Sequence, residues 1–234
     1  GGGDLLAQSE ALRARLAAEG LFAQSRKKPL PCLPRTIGLI CGRNAKAKDD
    51  VVVNASERWP HARFEIREVA VQGDRCVAEV GAALAASGIA REELFVTTKV
   101  DNANHEPERA ARTIAHSLDR LGTDYVDLLL VHWPLPTLDG GNVALPWPAL
   151  EASYAAGQAR AIGLSNYERI HVEAVRAAAR IAPHVLQVEA HPFFPNGALR
   201  RYAHELGMVF EAWSPLARGR AATDPTLLRV AEEL

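Results

Sequence analysis

Short apolar runs and amphipathic stretches alternate along most of the chain. Runs at 37–41, 64–71, 94–99, 126–131, 161–164, 185–188 and 208–213 are rich in Val, Ile, Leu and Phe and too short for helices. They read as strands buried on both faces, as in a parallel sheet. Between them, apolar residues recur at helical spacing over 45–59, 77–86, 107–121, 147–156, 168–180 and 197–206, and a further helix starts at Pro225. Ahead of the first run, 5–18 reads as a helix closed by Gly20, and 28–34, which holds three prolines, must be extended.

Strands begin every 23–35 residues with a helix in each gap. That is the βα repeat which right-handed crossovers build into a parallel sheet. Seven such strands predict an α/β fold, a parallel (β/α) TIM-barrel-like architecture. It is incomplete, because a full barrel takes eight strands and roughly 250 residues. The sequence starts without Met and stops inside a helix at Leu234, so the expectation is a cut barrel. Its unpaired sheet edge would invite self-association.

Folds of this kind place chemistry at the carboxyl ends of strands. Two apolar runs stop there at a polar side chain: 94–99 at Lys99, and 126–131 at His132. A lysine and a histidine facing one pocket point to proton handling.

Composition narrows the classes. With 48% hydrophobic and 24% charged residues the chain is globular material rather than disordered. No apolar run approaches the roughly 18 residues that span a bilayer, and no signal peptide opens the sequence. Cys32, Cys41 and Cys76 lie far apart with no CxxC, which suits inert thiols in a reducing cytoplasm. Charge is uneven. Up to Lys48 there are nine basic and three acidic residues, an excess of six against a total of −1. Such a split hints at two origins, or at a basic arm meeting a polyanion. Ser165 fails the GxSxG pattern because Tyr167 stands at the final glycine position, no HExxH occurs, and no metal site is expected.

Larger patterns then emerge. Glu79-Val80-Gly81-Ala82-Ala83-Leu84, the run ending at Lys99, and Ser117 to Leu128 leading into His132-Trp133-Pro134 come in order. Ala161-Ile162-Gly163-Leu164-Ser165-Asn166, Gln187-Val188-Glu189-Ala190-His191-Pro192 and Glu211-Ala212-Trp213-Ser214-Pro215-Leu216 follow. Together they resemble the aldo-keto reductase family over about 79–234. The resemblance implies NADPH-dependent reduction of a small carbonyl substrate in a TIM barrel. Hydride passes to the carbonyl carbon while a tyrosine protonates the oxygen. Lys99 matches the lysine that lowers that tyrosine's pKa, and His132 the histidine that orients the carbonyl. Ser165, Asn166 and Gln187 match the residues holding the nicotinamide carboxamide. Trp213 matches the ring that stacks on the nicotinamide, Ser214 and Leu216 the loop near the pyrophosphate, and Trp133 the substrate pocket.

The departures fall at one place. The family's aspartate and tyrosine should precede the helix at 77–86, five residues apart. Here Asp74 could offer the acid, but Glu79 stands where the tyrosine belongs. The four tyrosines (Tyr125, Tyr154, Tyr167, Tyr202) lie elsewhere, and the region after an eighth strand, where the resemblance places the cluster that clamps the adenosine 2′-phosphate, is missing. Impaired or absent turnover is expected.

Residues 5–80 show a second likeness. Leu16 to Phe22, Lys27 to Pro31, Pro34 to Arg43, Asp49-Asp50-Val51, Arg58-Trp59-Pro60 and Val69 to Gly73 resemble the exonuclease VII large subunit. That implies single-stranded DNA as partner, with Asp49 or Asp50 as an acidic site residue. The expected organisation is therefore a chimera: 1–78 an exonuclease VII-like α/β segment, and 79–234 a reductase-like partial barrel, with N-terminal βα units of different origin. An inactive remnant of both, or a nuclease fragment, is the alternative to a reductase.

Overall fold

The computed structural model describes residues 36–42, 63–69 and 76–232, together with Lys48, Val52 and Ser56. The expected helix at 5–18, the extended 28–34 and the residues Asp49, Asp50 and Asp74 lie outside the described residues. Of the expected helix 45–59, only Lys48, Val52 and Ser56 are described, and all three are helical.

All seven expected strands are present and parallel, in two sheets. β1 (Thr36–Gly42) and β2 (Arg63–Val69) pair along their whole length. β3 (Thr97–Val100), β4 (Val126–Val131), β5 (Ala159–Ser165), β6 (Val185–Glu189) and β7 (Val209–Trp213) form a five-stranded sheet in sequence order. The parallel α/β architecture is as the spacing predicts, but the barrel is not closed. Among the described residues the seven strands form two sheets, of two and five strands.

The boundary that moves most is that of β3, expected over 94–99 and found at Thr97–Val100. Residues Arg91–Glu93 form one 3₁₀ turn. The Arg91 guanidinium fixes it by donating to Leu94 O (2.9 Å), Tyr125 O (2.9 Å) and Thr123 Oγ1 (3.0 Å). Phe95 is left 74% exposed, so apolar character there does not mark a buried strand.

Seven helices complete the described fold: α1 (Cys76–Ala86), α2 (Pro107–Leu121), α3 (Trp147–Ala155), α4 (Arg169–Ala178), α5 (Gly197–Glu205), the short α6 (Arg220–Thr223) and α7 (Pro225–Glu232). α2 starts at a proline and buries Ala110, Ile114, Leu118 and Leu121, one stripe at helical spacing. It ends at Gly122, left-handed at φ 66°, where Thr123 N returns to Leu118 O (3.2 Å). α4 stops two residues before the expected end. The Glu151 carboxylate draws Arg180 N (2.6 Å) and Ile181 N (2.8 Å) out of helical pairing.

The main core lies between the five-stranded sheet and its helices. Leu129, Val131, Ile162, Leu164 and Leu186 pack there with Ile114, Leu118, Trp147, Val172 and Val175. The other sheet face carries a smaller cluster of Leu128, Leu130 and Val185. Strand β4 is buried at all six positions, which explains its unbroken apolar run.

One charged residue in that strand joins three elements. Asp127 Oδ2 accepts from Val96 N (2.9 Å) and Arg91 Nη2 (2.9 Å), and Oδ1 from Arg160 Nη1 (3.1 Å). Both guanidinium groups also lie over the Tyr125 ring, at 4.0 and 4.2 Å. Burial alone would raise the Asp127 pKa. The Val96 N–H and the two arginines outweigh it and hold the carboxyl below its ordinary value.

Candidate active site

Strand register assembles the site. Lys99 pairs with Leu130, Leu130 with Gly163, Gly163 with Val185, and Val185 with Val209. Side chains alternate along a strand, so two residues further on His132, Ser165, Gln187 and Glu211 share that face as the next row. Ser165 pairs directly with Gln187, and Gln187 with Glu211. Trp213 follows Glu211 on the same face. The row therefore caps the Leu128, Leu130 and Val185 cluster at the carboxyl end of the sheet.

Close approach of β5 and β6 depends on Gly163. A Cβ there would stand 2.5 Å from Val185 O and 2.8 Å from Leu130 Cδ2. The absent side chain lets Leu130 fill the space beneath the row.

Lys99 begins one row lower, and its four-carbon stem carries the ammonium up into the row. Nζ donates to Gln187 Oε1 in a short hydrogen bond and to Ser165 Oγ at 3.4 Å. Gln187 Nε2 in turn donates to Glu211 Oε1 at 2.7 Å. Burial lowers the Lys99 pKa, and the Glu211 charge partly opposes that. His132 sits beside it, half-buried. Its pKa is lowered by burial and by the Lys99 cation, against an opposing pull from Asp101, with His105 lowering it further.

Asn166 binds the row together. It takes φ 65°, a left-handed conformation that Asn tolerates better than most residues. Its Nδ2 donates to His132 O (2.9 Å) and Ser165 Oγ (3.2 Å), and its Oδ1 accepts from Trp213 Nε1 (2.8 Å). The indole is thus pinned by its N–H with its ring beside the row. Beyond it the loop turns sharply, with Ser214 at φ 52° and Ala217 at φ 51°, and Leu216 is exposed. Trp133 is exposed too, its ring 6.4 Å from that of His132.

Lys99, His132, Ser165, Asn166, Gln187 and Trp213 are thus brought together, with Trp133 beside them and Ser214 and Leu216 in the adjoining loop. Glu211 is the residue that sequence reading passed over. Its signal was available, since it stands two before Trp213 and so must face the same way. The pair His105 and Asp139 was also missed. His105 Nδ1 meets Asp139 Oδ2, while its buried Nε2 has no hydrogen-bond partner among the described residues.

None of the four tyrosines reaches Lys99. Tyr125 lies between Arg91 and Arg160, and Tyr154 packs on His184. Tyr167 is fully buried and donates to Val143 O at 2.9 Å, while Tyr202 lies under Arg169. Glu79, at the position expected for the tyrosine, lies on α1. Among the described residues no cluster of His, Cys, Asp or Glu could hold a metal ion, and no helix is long and apolar enough to cross a membrane.

A parallel α/β sheet with a polar row at the carboxyl ends of its strands is the arrangement in which (β/α) folds place their functional sites. Comparison with known proteins is specific. The family model for the aldo/keto reductase family matches residues 77–227, and the chain belongs to that family. A second model, exonuclease VII, large subunit, matches residues 21–99. An aldo-keto reductase of Mycobacterium bovis is 42% identical over 156 residues, covering 67% of this chain and 55% of that protein. The glyoxal reductase of Bacillus subtilis is 42% identical over 154 residues, covering 66% and 54%. The chain therefore spans about half the length of the curated relatives it matches. Among solved structures, an aldo/keto reductase from Brucella melitensis superposes with a TM-score of 0.64 at 33% identity, covering 86% of this chain and 75% of that one. A Bombyx mori aldo-keto reductase in complex with NADP gives a TM-score of 0.63 at 28% identity, covering 86% and 72%.

Proposed function

We propose that residues 79–234 carry the nicotinamide-binding half of an NADPH-dependent carbonyl reductase site, with turnover impaired by the missing tyrosine and aspartate. The observation that carries this reading is the single hydrogen-bonded row from Lys99 through Ser165, Asn166 and Gln187 to Trp213. A primary carboxamide needs one acceptor for its NH₂ and one donor for its oxygen, and the Ser165 hydroxyl with the Asn166 and Gln187 amides offers both. Trp213 would lie flat against the ring. The cofactor, when bound, supplies the hydride. Lys99 must then give up Gln187 Oε1, which it holds in this structure. His132 would hold the carbonyl oxygen, with Trp133 walling the substrate side.

Without a phenol the oxygen must take its proton from His132 or water. Loss of a positioned general acid typically costs about 10²–10⁴ in rate. Titration of NADPH followed by its own fluorescence should show binding in the micromolar range, weakened about tenfold or more in Trp213→Ala. Absence of any binding near millimolar cofactor would sink the proposal.

The exonuclease VII match favours a second reading for the first segment. Residues 1–78 would form a separate unit of different origin that contacts single-stranded DNA weakly through its basic residues. A gel shift that disappears with moderate salt supports it, and no shift at low salt defeats it. The five-stranded sheet ends at β3 and β7 among the described residues, and an open edge there would favour self-association. Sedimentation as a monomer across a wide concentration range would rule that out.

A further inference from the structure

The chain holds five lysines: Lys27, Lys28, Lys46, Lys48 and Lys99. From residue 49 to the end, Lys99 is therefore the single lysine, and arginine carries the remaining basic charge. The one primary amine in this stretch stands in the site. Its hydrogen-bond partners are both neutral, the Gln187 amide oxygen and the Ser165 hydroxyl. Among the described residues no carboxylate forms an ion pair with it. Glu211 stands one residue removed, bonded to the far side of Gln187. No tyrosine competes for the amine, and the side chain is only partly buried, beside His132 and the exposed Trp133.

We propose that Lys99 is a carbonyl-capturing amine, forming a reversible Schiff base with small aldehydes. The idea borrows from the reductase reading only a carbonyl-sized space at this end of the sheet, and it uses no cofactor. The neutral Nζ adds its lone pair to the carbonyl carbon, forming a C–N bond while the C=O π pair moves to oxygen. A proton passes from nitrogen to that oxygen, through His132 or water, giving a neutral carbinolamine. Protonation of its hydroxyl by the His132 imidazolium lets water leave as the nitrogen lone pair closes C=N, and the iminium N–H proton then returns to the His132 imidazole. Aldehyde and amine become imine and water, and nothing is oxidised or reduced.

The environment favours the reactive form. Burial lowers the Lys99 pKa below the 10.5 of an exposed lysine. Each unit lowered makes the free amine about tenfold more abundant at neutral pH. The charged and titratable groups that bear on the pair are Glu211 from β7, His132 at the end of β4, and Asp101 and His105 after β3.

The test uses the full chain with benzaldehyde and sodium cyanoborohydride at neutral pH, without NADPH. Intact mass and peptide mapping then read the benzyl group fixed on nitrogen. The Lys99 peptide should be labelled faster than Nα-acetyl-lysine in the same tube. The labelling rate should rise with pH to a midpoint below 10.5. Gln187→Glu, which puts a carboxylate directly on the ammonium, should slow labelling about tenfold or more while the melting temperature shows that the chain is folded. Labelling of Lys99 no faster than the free amino acid overturns the proposal, as does an unchanged rate in folded Gln187→Glu. Capture without NADPH binding would leave this inference standing and the reductase reading refuted. NADPH binding without capture would do the reverse.

Discussion

Replacing Asp127 with alanine removes the carboxylate that joins Val96, just before β3, to Arg91 and to Arg160 on β5. The Val96 N–H loses its acceptor at 2.9 Å in a position only 8% exposed, which costs about 1–3 kcal/mol. Arg91 loses its carboxylate at 2.9 Å but keeps the Leu94 and Tyr125 carbonyls, so its cation is not stranded. Arg160 is 55% exposed, and its pair contributes about 0–1 kcal/mol. The expected loss is about 1–4 kcal/mol, which at a urea m-value of about 1–3 kcal/mol/M moves the midpoint down by about 0.3–4 M. Asp127→Asn keeps an acceptor for Val96 and should fall between wild type and alanine.

The pH dependence separates charge from shape. Because the folded Asp127 pKa is depressed, its contribution is complete above the ordinary value of 3.8 and disappears as pH falls through the lower folded value. Wild type should therefore lose stability in that acid window more steeply than Asp127→Asn. The reasoning fails if alanine shifts the midpoint by less than about 0.5 kcal/mol equivalent, or if Asn and Asp show the same acid slope. Loosening of β3 should also slow benzaldehyde capture at Lys99, since the register Thr97 to Leu128 sets where Lys99 stands.

Two further outcomes are expected. Gly163→Ala forces a Cβ to 2.5 Å from a backbone oxygen, so β5 and β6 must part, at a cost of about 1–3 kcal/mol and with weaker NADPH binding; an unchanged melting temperature contradicts this. Tyr167→Phe removes a buried hydrogen bond worth about 1 kcal/mol without touching NADPH affinity or Lys99 capture. Burial raises the Tyr167 pKa above its ordinary 10.0, so the stability it contributes as a neutral phenol is full below that value and is lost as pH rises above it. The Phe variant should lack that alkaline loss in urea melts, and equal alkaline slopes would refute the assignment.

The elements that sequence alone placed well are those whose environment is uniform. β4 is buried at every position, and α2 shows one clean stripe with proline at its start and glycine after its end. The failure at β3 has a local cause, because Leu94 and Phe95 look like strand residues while the Arg91 guanidinium holds the chain in a turn. The site was legible as a set of residue types at strand ends. What stayed hidden was how they pair. That Lys99 rests on Gln187, and that Glu211 completes the line, follows from a ladder register which only three-dimensional pairing reveals. The division of seven strands into two and five was hidden for a related reason, since periodicity reports burial and not which edge a strand joins.

The order of the larger sheet, β3 to β7 without a skipped neighbour, bears on how such a molecule can be inherited. Each strand pairs with the one made just before it, so the ladder can grow by accretion, and every closing loop is of similar length. Removing or exchanging a unit at the amino-terminal end disturbs one boundary and rethreads nothing. A chain of this topology can accept a foreign leading piece while its inner strands keep their partners.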